Sequence, residues 1–361
     1  MSSKLQVLAI EPYYGGSHRA FLHGLAEGSR HRFQLLTQPA RFWKWRMRGS
    51  AIRLAERMAR SRFEPDVIVA TDMLSLAEFM ALYGRKVPAI LYMHENQLVY
   101  PTRVLDERDV HFGFTNITSC LAATRVVWNS TYHMESFLEA AYDLLRKMPD
   151  ERPEGVAASI RDRSVVIPPG LDLAAIDAVD MTRPEPPVIL WNHRWEHDKR
   201  PELFFEAMER LDRLGLDFRI AVLGESFEDR PEVFDMARRS LGSRIARFGY
   251  VEDLTEYHGW LRQCAISVST ADQENFGIAA VEAAYAGASP LWPDRLSYPE
   301  LMAGRDHLYR DMDELMRKLE DLIESGFDAR VYRDHVRELG RYGWDEVIGR
   351  YDDLLEELAR T

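Results

Sequence analysis

Short apolar runs alternate along the chain with longer stretches in which apolar residues recur every three or four positions. Runs of four to six apolar residues suit strands buried on both faces, and the longer period suits helices packed on one side. In the first half the pattern predicts strands near 5–10, 32–37, 66–70, 88–93, 124–129 and 164–167. Helices are expected to begin near Ser17, Ala51, Leu74, Asp109 and Thr131. A second series places strands near 188–191, 218–223, 245–248, 265–270 and 289–292, and the pattern turns helical from about residue 311. Between the two series lies Asp180-Met-Thr-Arg-Pro-Glu-Pro-Pro187, a proline-rich segment with the composition of a linker. Alternation of this kind predicts parallel sheets covered by helices. The expectation is an α/β protein of two doubly wound, Rossmann-like domains, 1–175 and 186–335, facing across a cleft. A helix within 336–361 is expected to pack back on the first domain.

A chain of 361 residues is longer than one hydrophobic core usually supports, which agrees with two domains. The two cysteines, Cys120 and Cys264, lie in separate apolar segments and match no metal or redox spacing. They read as reduced, buried thiols of a cytoplasmic protein. No signal peptide is legible, and no apolar run approaches the roughly 18 residues that span a membrane. Charge is unevenly placed. Residues 1–180 carry 22 Lys and Arg against 21 Asp and Glu, whereas the remainder carries 24 against 37. That balance argues against nucleic-acid binding over the whole surface and leaves room for a local basic patch.

Open α/β sheets bind ligands at the carboxyl ends of their strands, so polar residues there are the first candidates for chemistry. After the strand near 265–270 comes Glu274-Asn-Phe-Gly-Ile-Ala-Ala-Val-Glu282, a glycine-containing turn leading into an apolar helix. Glu274 and Glu282 can accept hydrogen bonds from sugar hydroxyls, while the turn Asn275-Phe276-Gly277 opens a helix whose free N–H groups suit a phosphate. After the strand near 188–191 comes Asn192-His-Arg-Trp-Glu-His-Asp-Lys199. Arg194 and Lys199 there can stabilise a diphosphate leaving group as its charge develops. The loop Glu11-Pro-Tyr-Tyr-Gly-Gly-Ser-His18 follows the first strand, and Gly15 and Gly16 would let backbone N–H groups approach a ligand, with Ser17 as helix cap. His94 ends an apolar strand beside Glu95, Asn96 and Gln97, a placement that suits contact with a donor sugar or an acceptor hydroxyl. The single Asp-x-Asp, Asp311-Met-Asp313, opens a helical stretch rather than ending a strand, so no metal site is expected.

Together these blocks resemble the retaining GT-B glycosyltransferases. Those enzymes share a Glu-x7-Glu motif, an Arg-x4-Lys pair after the first strand of the second domain, and a Pro-x-Gly-x-Asp turn, here Pro168-Pro-Gly-Leu-Asp172. The resemblance implies that Glu274 contacts the donor sugar, Glu282 the ribose, and Arg194 with Lys199 the diphosphate in place of a metal. A narrower resemblance covers nearly the whole chain. Tyr13-Tyr-Gly-Gly-Ser-His18, His94-Glu-Asn-Gln-Leu-Val-Tyr-Pro101, Asn129-Ser130 with Met134-Glu-Ser-Phe137, and His193-Arg-Trp-Glu-His-Asp-Lys199 look like the tRNA-queuosine α-mannosyltransferase family. That likeness implies transfer of mannose from GDP-mannose to the cyclopentenediol of queuosine in the anticodon of tRNA-Asp, with no metal required. It would also make His94 a catalytic residue. Recognition of the donor base falls to segments near 223–227 and 249–251, and neither spells guanine over uracil or adenine.

The segment 41–62 holds eight Lys and Arg against the single Glu56, with Phe42, Trp43 and Trp45 interleaved. A helix starting near Ser50 would put Arg53, Arg57 and Arg60 on one face, away from Ile52, Ala55, Met58 and Ala59. Cations on phosphates and aromatics on splayed bases hold single-stranded RNA loops, so Arg53, Arg57, Arg60, Trp43 and Trp45 are candidate tRNA contacts, with Glu95 and Asn96 at the acceptor. The tryptophans can equally pack into the core, and a basic aromatic helix also suits a membrane surface. Two other functions stay open: a glycosyltransferase with a lipid or small-molecule acceptor and another nucleotide-sugar donor, and a non-catalytic tRNA- or sugar-nucleotide-binding protein. The sequence is silent on oligomeric state.

Overall fold

The structure, a computed structural model, describes residues 4–100, 110–225, 231–325 and 329–360. It divides into two compact units, residues 1–170 with 344–361, and residues 171–343. Each contains one six-stranded parallel sheet.

In the first unit the strands are β1 (Gln6–Tyr14), β2 (Arg32–Pro39), β3 (Val67–Thr71), β4 (Ala89–Met93), β5 (Arg125–Trp128) and β6 (Ser164–Val166). They lie in the order β2-β1-β3-β4-β5-β6 and pair in parallel throughout. The apolar runs are continuous because both faces are covered. Leu91 and Met93 of β4 join Leu8, Ile68 and Trp128 in one cluster, while Ile90 and Tyr92 join Val7, Val69 and Val127 on the opposite face.

The second unit holds β7 (Val188–Asn192), β8 (Arg219–Leu223), β9 (Ile245–Gly249), β10 (Ile266–Val268), β11 (Ser289–Pro293) and β12 (Leu308–Tyr309), in the order β12-β11-β10-β7-β8-β9. Ile189 and Trp191 point into one cluster and Leu190 into the other, the same two-sided burial. The expected two doubly wound α/β domains are therefore present. Each sheet has one strand from which the chain first leaves in one direction and later returns on the other side: β1 between β2 and β3, and β7 between β8 and β10.

Three local expectations need correction. The first helix is Gly16–Gly28, with Gly15 at its N-cap and no side-chain cap, so Ser17 does not serve there. The next helix is Trp43–Ala59 rather than a helix from Ser50. Gly49-Ser50 reads as a break, yet Trp43, Met47, Ala51, Leu54, Ala55 and Met58 form one stripe that runs straight through it. Two short helices, Val156–Asp162 and Leu173–Asp177, lacked a visible period; the second starts where the Asp172 carboxylate accepts from the Ala175 N–H. Asp109, an expected helix start, lies outside the described residues.

Helix Trp344–Leu358 belongs to the first unit. Val347, Tyr351, Leu354, Leu355 and Leu358 pack with Phe21 and Leu25 over one face of that unit's sheet. Polar groups fix its register: the Tyr351 hydroxyl donates to the carbonyls of Ile167 and Pro168, and the Asp352 carboxylate accepts from Ser29 Oγ and the Arg30 N–H. The indole of Trp344 lies flush between Gly24 and Gly170, where a Cβ on either glycine would overlap the ring. Gly349 on the same helix faces open space. Gly24→Ala should therefore destabilise by about 1–3 kcal/mol through overpacking, and Gly349→Ala should stabilise by about 1 kcal/mol through helix propensity. Thermal melts of the two variants should shift in opposite directions; a shift of the same sign refutes the packing assigned to Trp344.

Candidate active site

The carboxyl ends of β1, β3 and β4 collect the polar residues of the first unit. Glu11, inside β1, is fully buried; one carboxylate oxygen accepts from the Tyr13 N–H at 2.7 Å and the other meets His18 Nδ1 at 2.9 Å. Burial alone would lower the His18 pKa, but the Glu11 charge and hydrogen bond, helped by Asp72 and Glu95, raise it to about 9. His18 is thus an imidazolium at neutral pH, donating from Nδ1. Its ring lies against that of His94, centroids 4.0 Å apart and tilted by 32°. Burial and the His18 charge drive the His94 pKa well below its ordinary value, so a neutral imidazole rests on a charged one.

The main chain at His94 is held at both ends. Its N–H donates to Asp72 Oδ1 at 2.9 Å, and its carbonyl accepts from Asn129 Nδ2 at 3.0 Å. Asn129 is in turn fixed by His133, whose Nδ1 donates to its Oδ1 at 2.8 Å. Burial raises the Asp72 pKa to about 8 against the opposing pull of His18. Glu11, His18 and His94 offer ligand atoms within 4.8 Å of one another, which gives a metal ion a candidate position that the sequence reading lacked. The stacked imidazoles and the Glu11–His18 proton suit an ion pair better than two nitrogens converging on one cation.

The neighbouring candidates divide. Asn96 is fully buried and its Oδ1 accepts from the N–H groups of Leu98 and Val99, so this oxygen shapes the loop rather than serving an acceptor. Glu95 is half-buried and takes a 3.4 Å bond from Gln97 Nε2. Gly15 packs so tightly on Ala40 that any side chain would overlap it, and Gly16 has a φ of 49°. Both glycines therefore have a packing or backbone requirement of their own.

In the second unit the carboxyl ends of β7 and β10 hold the cationic group. Lys199 is buried; its ammonium donates to the Gln273 carbonyl and lies 3.0 Å from Asp198 and 3.6 Å from Glu274. Burial works against its charge, yet Glu274 and Asp198 outweigh it and raise the pKa. Arg194 is half-exposed and lies 3.6 Å from Glu196. His193 is buried beside both cations, and burial with their charges lowers its pKa to about 3, leaving it neutral. Its carbonyl is approached so closely by Gly224, at a φ of 143°, that a Cβ there has no room. Residues 226 and 227, part of the expected base-recognition segment, lie outside the described residues.

Gly277 occupies the left-handed N-cap of helix Ile278–Tyr285, a conformation that costs other residues energy. Phe276 is corrected to a core residue: its side chain is buried against Tyr342, with ring centroids 5.2 Å apart. Asn275 is buried and its Oδ1 accepts from Gln273 Nε2. Glu282, expected at a ribose, is held by Tyr257, whose hydroxyl donates to its carboxylate at 2.9 Å and accepts from Asn192 Nδ2 at 2.8 Å. Burial raises the Glu282 pKa to about 7, and the Tyr257 bond partly opposes that rise.

The basic segment is corrected in detail. Trp43 packs on Phe112 at 5.1 Å in a small cluster with Tyr13, Met47 and Met73, whereas Trp45 is 77% exposed. Arg53 and Arg60 are paired with Glu56, and Arg57 donates to the Thr37 carbonyl. Ile52 shares their solvent face instead of lying elsewhere.

Sequence reasoning did not assign Glu11, His18, Asp72 or Tyr257. Glu11 and Asp72 did carry a signal, a carboxylate interrupting or ending an apolar parallel strand. Tyr257 carried none, because it meets Glu282 only through the fold. Among the described residues no helix is long and apolar enough to cross a membrane.

Comparison with known proteins bears on these arrangements directly. Residues 6–171 match the family model described as tRNA-queuosine alpha-mannosyltransferase N-terminal, and residues 175–338 match that of glycosyl transferases group 1. A tRNA-queuosine alpha-mannosyltransferase of Drosophila melanogaster is 34% identical over 370 residues, covering 98% of this chain and 97% of its own. Among solved structures, Anabaena Alr3699/HepE in complex with UDP has a TM-score of 0.72 at 15% identity, covering 98% of this chain and 100% of its own. Sucrose-phosphate synthase from Thermosynechococcus elongatus has a TM-score of 0.74 at 12% identity, covering 98% and 99%. At such identities the two structures establish the fold, two Rossmann-like domains of the GT-B kind. The full-length relative goes further: the chain belongs to the tRNA-queuosine α-mannosyltransferase family of glycosyltransferases.

Proposed function

We propose that the protein transfers mannose from GDP-mannose to a hydroxyl of the queuosine cyclopentenediol in the anticodon of tRNA-Asp, with retention at the anomeric carbon. The observation that carries the reading is Lys199, a buried ammonium beside Glu274 at the carboxyl ends of β7 and β10. A cation held there without solvent is ready to receive negative charge before the reaction begins. On this reading the bond from the anomeric carbon to the diphosphate oxygen breaks as an acceptor oxygen bonds to the same face. Lys199 and Arg194 stabilise the departing GDP, whose phosphate takes the acceptor proton. Glu274 accepts from sugar hydroxyls, Glu282 from the ribose, and neutral His94 orients donor sugar or acceptor. The cationic pair would make a divalent ion unnecessary. Two buried, free cysteines suit a reducing cytoplasm.

Incubation with radiolabelled GDP-mannose and total tRNA, with or without queuosine, should label only queuosine-containing tRNA and should do so in EDTA. Label on lipid, or none on tRNA while GDP still protects the protein from heat, refutes the acceptor. Activity lost in EDTA and restored by Mn²⁺ refutes metal independence. Lys199→Ala should lower turnover by about 10²–10³-fold and leave tRNA affinity within about twofold; equal losses in both would assign Lys199 to the acceptor.

Glu282 sets a pH dependence. Below its pKa of about 7 it is protonated and loses acceptor capacity for the ribose, so the KM for GDP-mannose should rise about tenfold per unit as pH falls. Tyr257→Phe removes the bond that favours the carboxylate, and that limb should move to higher pH. A limb that stays in place rules out control of Glu282 by Tyr257. Linkage has the opposite sign for stability: the folded pKa exceeds the usual 4.5, so the folded state binds the extra proton. Stability falls as pH rises from about 4.5 to 7.

A further inference from the structure

Among the described residues, the outer face of the first three turns of helix Trp43–Ala59 is used by the fold only through Arg46 on the Pro39 carbonyl and a 3.4 Å bond from Arg48 to Thr115 Oγ1, and the transfer chemistry does not use it. Phe42 is 71% exposed, Trp45 77% and Ile52 67%. Trp45, Arg48 and Ile52 follow one another at helical spacing on the outer face. Phe42 sits at the N-cap with a φ of 56°, a left-handed conformation that a phenylalanine adopts only under constraint. Its ring lies in solvent, with the Arg41 guanidinium 6.0 Å from the ring centroid.

Charge distinguishes this end of the helix from the other. Among the described residues no carboxylate pairs with Arg41, Lys44, Arg46 or Arg48, whereas Glu56 engages Arg53 and Arg60. Uncompensated cations beside exposed aromatic rings match the chemistry of an RNA loop, with phosphates for the cations and unstacked bases for the rings. A lipid surface fits less well. An interfacial helix offers lipid a continuous apolar face, and here that face, Met47, Ala51, Leu54, Ala55 and Met58, is already in the core.

The surface also connects to the strand ends. Trp43, in the same turn, packs with Tyr13 near the carboxyl end of β1. The Tyr13 ring meets the edge of His18 at 5.9 Å, and His18 lies on His94. We propose that Phe42 and Trp45 are stacking platforms for bases of a single-stranded RNA loop and that Arg41, Lys44 and Arg48 hold its phosphates. This rests on the acceptor being tRNA; Arg53 and Arg60, expected there from sequence, are secondary.

The test uses the full chain and purified queuosine-containing tRNA, with Kd measured across a salt series. The Phe42→Ala/Trp45→Ala double variant should bind at least about tenfold more weakly with the salt slope unchanged. The Arg41→Ala/Lys44→Ala/Arg48→Ala variant should also bind more weakly, and its log–log salt slope should be shallower by about 2. Wild-type affinity in the aromatic double variant overturns the proposal. So does a loss confined to binding of anionic phosphatidylserine vesicles, which would assign the surface to lipid. A wild-type protein that neither binds nor mannosylates tRNA overturns the acceptor reading instead. Wild-type transfer to tRNA with unaffected variants overturns this surface alone.

Discussion

In a parallel sheet with helices on both faces, a crevice for a ligand opens at the carboxyl ends of the strands where two neighbouring connections diverge. β1 and β7 are the strands at which this happens, each flanked by one strand that follows it directly and one reached later. At both places apolar side chains give way to charged and polar ones at the strand ends. Lys199 and Glu274 come from the loops after β7 and β10, while His18, Asp72 and His94 follow β1, β3 and β4. Within each unit the topology gathers residues from distant points of the sequence at these strand ends, and the polar groups there depend on that gap.

Groups placed at such a position are costly to bury, and the two units meet the cost differently. In the second unit one ammonium is enclosed by two carboxylates and a carbonyl, which keeps a cation where solvent would otherwise be needed. In the first unit a carboxylate stabilises one imidazolium, and burial together with that charge suppresses protonation of the imidazole stacked on it. One arrangement holds a fixed positive charge; the other keeps a neutral ring beside a charged one. Both are preorganised, because the supporting hydrogen bonds reach main chain as well as side chains.

The strands and the two-domain pattern were legible because doubly buried strands leave uninterrupted apolar runs that few other structures produce. His94, Lys199 and Glu274 were legible for a related reason: each polar residue closely follows such a run. The start of the helix at Trp43 was hidden by Gly49-Ser50, which imitates a terminus although the buried stripe continues through it. The ion pairs of Arg53 and Arg60 with Glu56 follow from three- and four-residue spacing and were present in the sequence. What spacing could not supply was Tyr257 on Glu282, 25 residues away, or the burial that shifts the Glu282 pKa.

The return of helix Trp344–Leu358 to the first unit makes that unit discontinuous, with all of the second unit inserted between Gly170 and Trp344. During synthesis the first 170 residues emerge with one face of their sheet covered only in part, by Phe21 and Leu25, its other apolar positions awaiting Val347, Tyr351, Leu354, Leu355 and Leu358. The slot formed by Gly24 and Gly170 stays empty until Trp344 has been made. The second unit, continuous in sequence, is complete on the ribosome before the first. The order of birth is thus reversed in folding: the domain translated first is the last to close.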